Sequence, residues 1–128
     1  MAERISEKIQ TADWKGEKHV PVIDCPDKIN AGEKLNLTIT VGKEIAHPNT
    51  TEHHIRWIRV YFVPQGNAFA YDVGNFEFNA HGENNESPIY ADHEVTFSFK
   101  TQKSGSINAI SYCNIHGLWE SNKKIQVE

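Results

Sequence analysis

Cysteine, methionine and long apolar runs are all scarce in this chain of 128 residues. Its two cysteines, Cys25 and Cys113, allow at most one disulfide, so a disulfide-stapled scaffold is excluded. Its longest apolar runs are a few residues long, whereas a membrane helix needs about 20, so no membrane partner is expected. Residues 1–10 lack the apolar core of a secretory signal, which predicts a cytoplasmic protein with reduced thiols.

Positive charge is also in short supply. Acidic residues number 17 against 13 for Lys plus Arg, which gives a formal net charge of −4. Proteins that bind nucleic acids usually carry a basic patch or stripe, so no nucleic-acid partner is expected. The length suits one compact unit, and residues 1–128 are predicted to form a single domain.

Short β-prone segments recur along the chain at intervals of about 10 to 15 residues, a spacing typical of all-β sandwiches and barrels. Residues 35–41 alternate between apolar and polar side chains, which predicts a half-buried strand. Residues 55–63 are apolar on both faces, which predicts a central strand. Further strands are predicted at residues 19–23, 95–99, 107–112 and 124–127, with residues 69–73 and 75–80 forming a hairpin around Gly74. The pattern predicts an all-β, immunoglobulin-like antiparallel β-sandwich of about seven strands.

Histidine, in contrast, is abundant. The chain has seven, and histidine is the commonest metal ligand in proteins. The candidate chemistry concentrates in four segments, each at the end of a predicted strand or in the adjoining loop: residues 16–19, 47–49, 52–54 and 113–117. Loops on a β scaffold are where sites are usually built. In the last segment, Cys113 and His116 would present a thiolate and an imidazole to the same ion, and Gly117 permits the turn.

Together these segments offer a ligand set of four nitrogens and one sulfur: His19, His47, His53, His116 and Cys113. A set of five exceeds the four ligands of a tetrahedral zinc site and favours a five- or six-coordinate transition metal such as iron. His54 follows His53 directly, and adjacent strand residues point to opposite faces, so only one of the two can face the metal.

The remaining histidines and the other cysteine are interpreted as bystanders. His81 and His93 lie in polar, loop-like stretches, which predicts a structural or solvated role. Cys25 stands beside Pro26 with no histidine near it in sequence, which predicts a free thiol outside the site.

Three motifs carry a resemblance to a known family. Residues 17–21 read EKHVP, residues 47–55 read HPNTTEHHI and residues 113–119 read CNIHGLW. Together they resemble the superoxide reductases, the neelaredoxin and desulfoferrodoxin family of anaerobes. The resemblance extends from about residue 14 to residue 127.

The resemblance implies one iron ion on an immunoglobulin-like β-sandwich. It makes four imidazoles the equatorial ligands, those of His19, His47, His53 and His116. Cys113 would be the axial thiolate. Glu17 matches the glutamate that closes the sixth position in the ferric state, and Lys18 matches the lysine that attracts the substrate.

The resemblance also implies the activity and the partners. Superoxide would be reduced by one electron to hydrogen peroxide without release of oxygen, with rubredoxin or a similar protein as electron donor. Two cysteines cannot supply the four that hold the second iron of the desulfoferrodoxins, so the chain resembles the one-iron class, which is often homotetrameric.

Two other interpretations stay open on the sequence alone. A cupredoxin-like electron carrier is also a β-sandwich with a Cys and a downstream His on one loop, although its copper is usually bound by two His, one Cys and a weak axial Met. A binding module stabilised by a metal is the other. It leaves the Glu17–Lys18 pair beside a candidate ligand unexplained.

Overall fold

The structure, a computed structural model, describes residues 2–128. The described part of the chain is almost entirely β, with eight strands and three short 3₁₀ turns. The strands are β1 (Pro21–Asp24), β2 (Lys28–Ile29), β3 (Lys34–Val41), β4 (Ile55–Pro64), β5 (Tyr71–Glu77), β6 (Glu94–Lys100), β7 (Gly105–Cys113) and β8 (Gly117–Val127). The 3₁₀ turns are Ile5–Glu7, Trp14–Gly16 and Glu83–Asn85.

The strands form two sheets, one of three strands in the order β1-β3-β6 and one of five in the order β2-β8-β7-β4-β5. The predicted all-β sandwich is therefore confirmed. All the pairings are antiparallel except that of β2 with β8, which is parallel. The prediction of about seven strands omitted β2, because its two residues are too short to show a periodic pattern.

The two sheets bury a shared apolar core between them. On β3, Leu35, Leu37, Ile39 and Val41 are buried, as the alternation of that segment predicts. They meet buried side chains of the larger sheet, among them Ile58 of β4. Each such side chain contributes about 1.5–3 kcal/mol when it leaves water, so this core holds the two sheets together.

The predicted hairpin around Gly74 is wrong. The structure has one continuous strand there, β5, and Gly74 pairs with Val60 inside the sheet ladder. A Cβ atom at Gly74 would lie 2.9 Å from the ring of Phe76 and 3.1 Å from that of Phe97. Glycine is therefore required here by close packing of two aromatic rings, and the sequence signal was misread as a turn.

Strand direction brings the site-bearing segments to one end of the sandwich. Pro21, which begins β1, pairs with Val41, which ends β3. Ile55, which begins β4, pairs with Cys113, which ends β7, and Cys113 pairs with Gly117, which begins β8. We call this the histidine end, and we call the opposite end, where β7 begins at Gly105, the groove end. Within residues 2–128, no helix is both long enough and apolar enough to cross a membrane.

Candidate metal centre

Four side chains converge at the histidine end. His19, His47, His53 and Cys113 each offer one ligand atom, and these atoms all lie within 4.8 Å of one another. They come from the segment before β1, the loop between β3 and β4, the residues just before β4, and the last residue of β7. His19, His47 and Cys113 are almost completely buried, and His53 is half-buried.

His116 adds a fifth donor on the exposed side of the cluster. Its Nδ1 lies 3.2 Å from Nε2 of His19 and 3.7 Å from Sγ of Cys113. Two metal–nitrogen bonds of about 2.1 Å at a right angle would place their nitrogens about 3 Å apart. The separation of the His19 and His116 nitrogens therefore suits two neighbouring ligands of one ion.

The ring orientations also fit a metal. Nδ1 of His47 donates to the carbonyl oxygen of Pro48 at 2.7 Å, and Nδ1 of His19 donates to Oε1 of Glu17 at 2.5 Å. Each bond places the proton of the neutral imidazole on Nδ1. The lone pair is then on Nε2, which is the nitrogen that can bind a metal. Among the described residues, Nε2 of His47, His53 and His54 is buried with no hydrogen-bond partner, and the first two of these nitrogens belong to the cluster. A buried unpaired nitrogen costs about 1–3 kcal/mol, and a bound ion would remove that cost.

The cluster favours neutral imidazoles. Burial lowers the pKa of His19 below the ordinary value and outweighs the hydrogen bond and charge of Glu17, which raise it. Burial also lowers the pKa of His53, and the charges of neighbouring imidazoles lower it further. In His47 burial lowers the pKa to about 4. At neutral pH these rings are therefore unprotonated and free to bind a metal.

The thiol of Cys113 is fully enclosed, and its side chain has no exposed surface. The backbone N–H of His116 donates to its Sγ at 3.4 Å. This N–H places a hydrogen-bond donor beside the sulfur atom that would bind a metal, the kind of contact that orients and tunes a metal ligand.

Asn114 ties two of the ligand segments together. Its Oδ1 accepts from the backbone N–H of His54 at 2.8 Å, and its own N–H donates to the carbonyl of His54 at 3.2 Å. Its Nδ2 donates to the carbonyl of Glu52 at 2.9 Å. These three bonds fix the position of Cys113 relative to His53. Cys113 directly precedes Asn114, and His53 lies between the two residues that Asn114 contacts.

Trp119 contacts two of the candidate ligands. Its ring stacks on that of His19, with centroids 4.8 Å apart and an interplanar angle of 13°. Its Nε1 donates to the carbonyl oxygen of His116 at 3.3 Å. The indole therefore restrains the rotation of one imidazole and the backbone that carries another.

Glu17 and Lys18 lie in the loop before β1, beside the cluster. Oε1 of Glu17 accepts from the backbone N–H of His19 at 2.6 Å as well as from its ring. Burial alone would raise the pKa of Glu17, but the hydrogen bonds from His19 outweigh it and the pKa is lowered. Lys18 is half-buried, and its charge contributes to lowering the pKa of His19 and His53, after burial and the charge of His116.

The other three histidines also lie at this end. The rings of His54 and His81 stack with centroids 3.6 Å apart, and both residues are buried. His93 packs edge-on against His47 at 5.9 Å. His81 is thus an interior residue.

Sequence reasoning assigned no role to Trp119 or Asn114, and it gave His81 only a structural or solvated role. Trp119 and Asn114 lie inside a quoted motif, where their proximity to Cys113 and His116 was an available signal. His81 is 27 positions beyond His54, in a polar stretch. No local pattern connects them, because the contact depends on how the strands pair.

Comparison with known proteins gives a consistent result. The family model described as Desulfoferrodoxin matches residues 11–122. The chain is 55% identical to a neelaredoxin of Megalodesulfovibrio gigas over 129 aligned positions, which cover 98% of this chain and 99% of the relative. It is 52% identical to a superoxide reductase of Pyrococcus furiosus, covering 95% of this chain and 99% of that protein.

A solved structure agrees in fold as well as in sequence. The reduced form of a superoxide reductase (neelaredoxin) from Archaeoglobus fulgidus superposes with a TM-score of 0.85 at 50% identity. The match covers 93% of this chain and 98% of that one.

Proposed function

Since this chain belongs to the desulfoferrodoxin family, we propose that the centre at the histidine end is its active site. The protein is an oxidoreductase, a superoxide reductase that uses one iron ion. Superoxide, one electron and two protons give one hydrogen peroxide, and no oxygen is released.

The iron ligands are proposed to be the imidazoles of His19, His47, His53 and His116 and the thiolate of Cys113. The observation that carries this assignment is the convergence of their donor atoms, with two buried nitrogens that otherwise have no partner among residues 2–128. When bound, iron supplies the electron for the reduction, because it alternates between ferrous and ferric states.

Cys113 is proposed to tune the metal. A thiolate pushes electron density onto iron, as it does in thiolate-bound haem. The N–H of His116 withdraws part of that density from the sulfur. These two opposed effects come from two residues of one turn. Together they are proposed to set the reduction potential of the iron site.

Lys18 is proposed to attract the substrate anion. The net charge of −4 opposes the approach of superoxide. Salt screens charges separated by more than about 8–10 Å, so a cation at the mouth of the site outweighs diffuse surface charge. Lys18 is next to His19 in sequence, and its charge acts on two of the proposed ligands.

Glu17 is proposed to bind ferric iron and help displace the product. In this structure its carboxylate holds the ring of His19. The proposed role therefore requires the carboxylate to leave that N–H, and the loop before β1 is the element that would move.

The partners and location are proposed on the family resemblance. A rubredoxin or similar small redox protein would supply the electron, so the chain would take part in electron transport and in detoxification of superoxide in an anaerobe. We also propose a homotetramer, a cytoplasmic location and a single domain spanning residues 1–128.

The cupredoxin-like alternative is not supported. A copper site of that kind needs two His and one Cys, whereas three imidazoles and a thiolate converge here and a fourth imidazole adjoins them. The named relatives are superoxide reductases and neelaredoxins.

Metal analysis of the protein purified without oxygen tests the assignment. We expect one iron per chain and no copper. Copper in the site, or a protein that binds no ferrous iron when reconstituted, would contradict it.

A further inference from the structure

Two of the proposed ligands lie in the loop between β3 and β4, whose last residues are joined to the end of β7 through Asn114. Residues 42–54 connect β3 to β4, and the second part of this connection, residues 47–54, here the ligand loop, carries His47 and His53. Within the loop, Thr50 N–H donates to the carbonyl of His53 at 2.9 Å, and His53 N–H donates to Oγ1 of Thr50 at 3.0 Å. These bonds shape the loop locally, but they do not fix where it stands on the sandwich.

A second loop, residues 80–91, packs against the ligand loop; we call it the brace loop. Its two halves are joined by the hydrogen bonds from Ala91 N–H to Ala80 at 2.7 Å and from Gly82 N–H to Ile89 at 2.9 Å. Gly82 has φ of 63°, and a Cβ there would lie 2.3 Å from the ring of Tyr90. The brace loop is therefore closed by its own backbone and packed tightly.

Polar contacts join the brace loop to the ligand loop at two residues. Asn49 donates through Nδ2 to the carbonyl of Ala91 at 2.9 Å, which fixes its amide orientation. Its Oδ1 must then accept the bond from Nδ1 of His81 at 2.8 Å. Further along, the backbone N–H of Asn84 donates to Oγ1 of Thr51 at 2.8 Å.

The fourth contact is a stack of two imidazoles. The rings of His54 and His81 lie nearly parallel, with an interplanar angle of 8°. Nδ1 of His54 donates to the carbonyl of Thr50 at 2.9 Å, so that ring is itself fixed to the ligand loop. His54 directly follows His53, and any rotation of its backbone would displace the proposed ligand.

Position 81 places two requirements on its side chain, and few side chains meet both. It needs a flat ring to cover His54 and an N–H in that ring to bond Asn49. Phenylalanine supplies only the first, and glutamine supplies only the second. The residue contributes nothing directly to the metal cluster, because none of its described hydrogen bonds or ring contacts is to a proposed ligand.

We propose that His81 is a positioning residue of the iron site, which acts through Asn49 and His54 to hold the ligand loop in its metal-binding geometry. The proposal rests on the proposed ligand role of His47 and His53. Partners that orient metal ligands typically change metal affinity by about 10-fold to 100-fold when they are removed.

The test measures the Kd for ferrous iron by chelator competition on metal-free protein without oxygen. His81→Phe keeps the stack and loses the bond to Asn49, and His81→Gln keeps an amide donor and loses the stack. We expect each to raise the Kd by about 10-fold. We also expect both to shift the visible absorption band of the ferric protein and its reduction potential, neither of which simple loss of stability would move.

Two further variants make the outcome decisive. Ile107→Val removes one methylene from a fully buried core residue near the groove end, and should lower the unfolding midpoint without changing the Kd, the band or the potential. His53→Ala should abolish tight binding if the ligand assignment holds. If one His81 variant does not fold, the other is measured alone.

The outcomes separate the two proposals. A His81 variant with the wild-type Kd, band and potential, beside a His53→Ala variant that loses iron, overturns the positioning role and leaves the ligand assignment intact. Retention of iron by His53→Ala overturns both. An equal change in Ile107→Val would show that global stability, and not His81, controls the site.

Discussion

The two ends of the sandwich differ in what fills them. The histidine end carries all seven histidines and the buried Cys113, and their side chains pack against one another. The groove end has an open groove of about 830 Å³ whose lining includes Lys28, Lys123 and Lys124. None of the four clustered candidate ligands lines this groove, so the candidate metal centre and the groove are separate features at opposite ends.

The two cysteines reproduce this contrast. Cys113 is fully buried, lies among the imidazoles and accepts an N–H at its sulfur. Cys25 is half-buried, its carbonyl accepts from Nζ of Lys123, which lines the groove, and burial raises the pKa of its thiol. The same residue type thus lies among candidate metal ligands at one end and beside the groove, away from any histidine cluster, at the other.

The largest expected effect comes from exchanging sulfur for oxygen at each cysteine. Cys113→Ser should abolish superoxide reduction and the thiolate absorption band of the ferric protein, because the metal loses its only soft ligand. Cys25→Ser should retain both the iron content and the band. Elemental analysis and absorption spectra of the two variants check this, and a band that survives Cys113→Ser would place the thiolate elsewhere.

The cluster of side chains at the histidine end was largely predictable from the sequence, because the proposed ligands stand in short motifs. Cys113 and His116 are three positions apart, and His47 and His53 bracket one loop. The alternation in residues 35–41 likewise predicted β3 and its buried face.

Two kinds of feature were not predictable. The misreading of Gly74 arose because a glycine under two aromatic rings has the same local signal as a glycine in a turn. The contact of His81 with His54 and Asn49 depends on the pairing of β4 with β5, which no short window of sequence encodes.

The second effect concerns acid stability of the metal-free protein. His47 has a pKa of about 4 in the fold against 6.5 for an ordinary imidazole. As pH falls, the unfolded chain takes up this proton first, so stability is lost between about pH 6.5 and pH 4 and is unaffected above that window. At 1.36 kcal/mol per pH unit, the loss from His47 is about 3 kcal/mol.

Urea unfolding of metal-free wild type and His47→Gln across this window measures the effect. The variant should lose less stability than wild type between the two limits, because it lacks the titrating ring. If the free energy of unfolding falls equally with pH in the two proteins, the burial of a neutral His47 is contradicted.

The third effect concerns the rate of reaction with superoxide, compared between lysine variants at the two ends. Lys18→Ala should slow the second-order reaction with superoxide by about 10-fold at low salt and flatten its dependence on ionic strength. Lys124→Ala removes the same charge from an exposed position at the groove and should leave both nearly unchanged. Pulse radiolysis over a salt series measures the rates, and equal slopes for the two variants would contradict local steering by Lys18.

The smallest effect is a spectral one at Glu17. If the carboxylate binds ferric iron, Glu17→Gln and Glu17→Ala should both shift the ferric absorption band while ferrous iron content is retained. If Glu17 serves only to orient His19, the glutamine oxygen can still accept that N–H and only Glu17→Ala should shift the band. Absorption spectra of the two variants therefore distinguish the roles.

The most direct test of the central claim is the amount of hydrogen peroxide formed for each superoxide consumed by the iron-loaded protein, with an electron donor present. A reductase that takes its electron from a donor yields one peroxide per superoxide and no oxygen. Half that yield, with oxygen released, would indicate dismutation and contradict the assignment of this centre as a superoxide reductase.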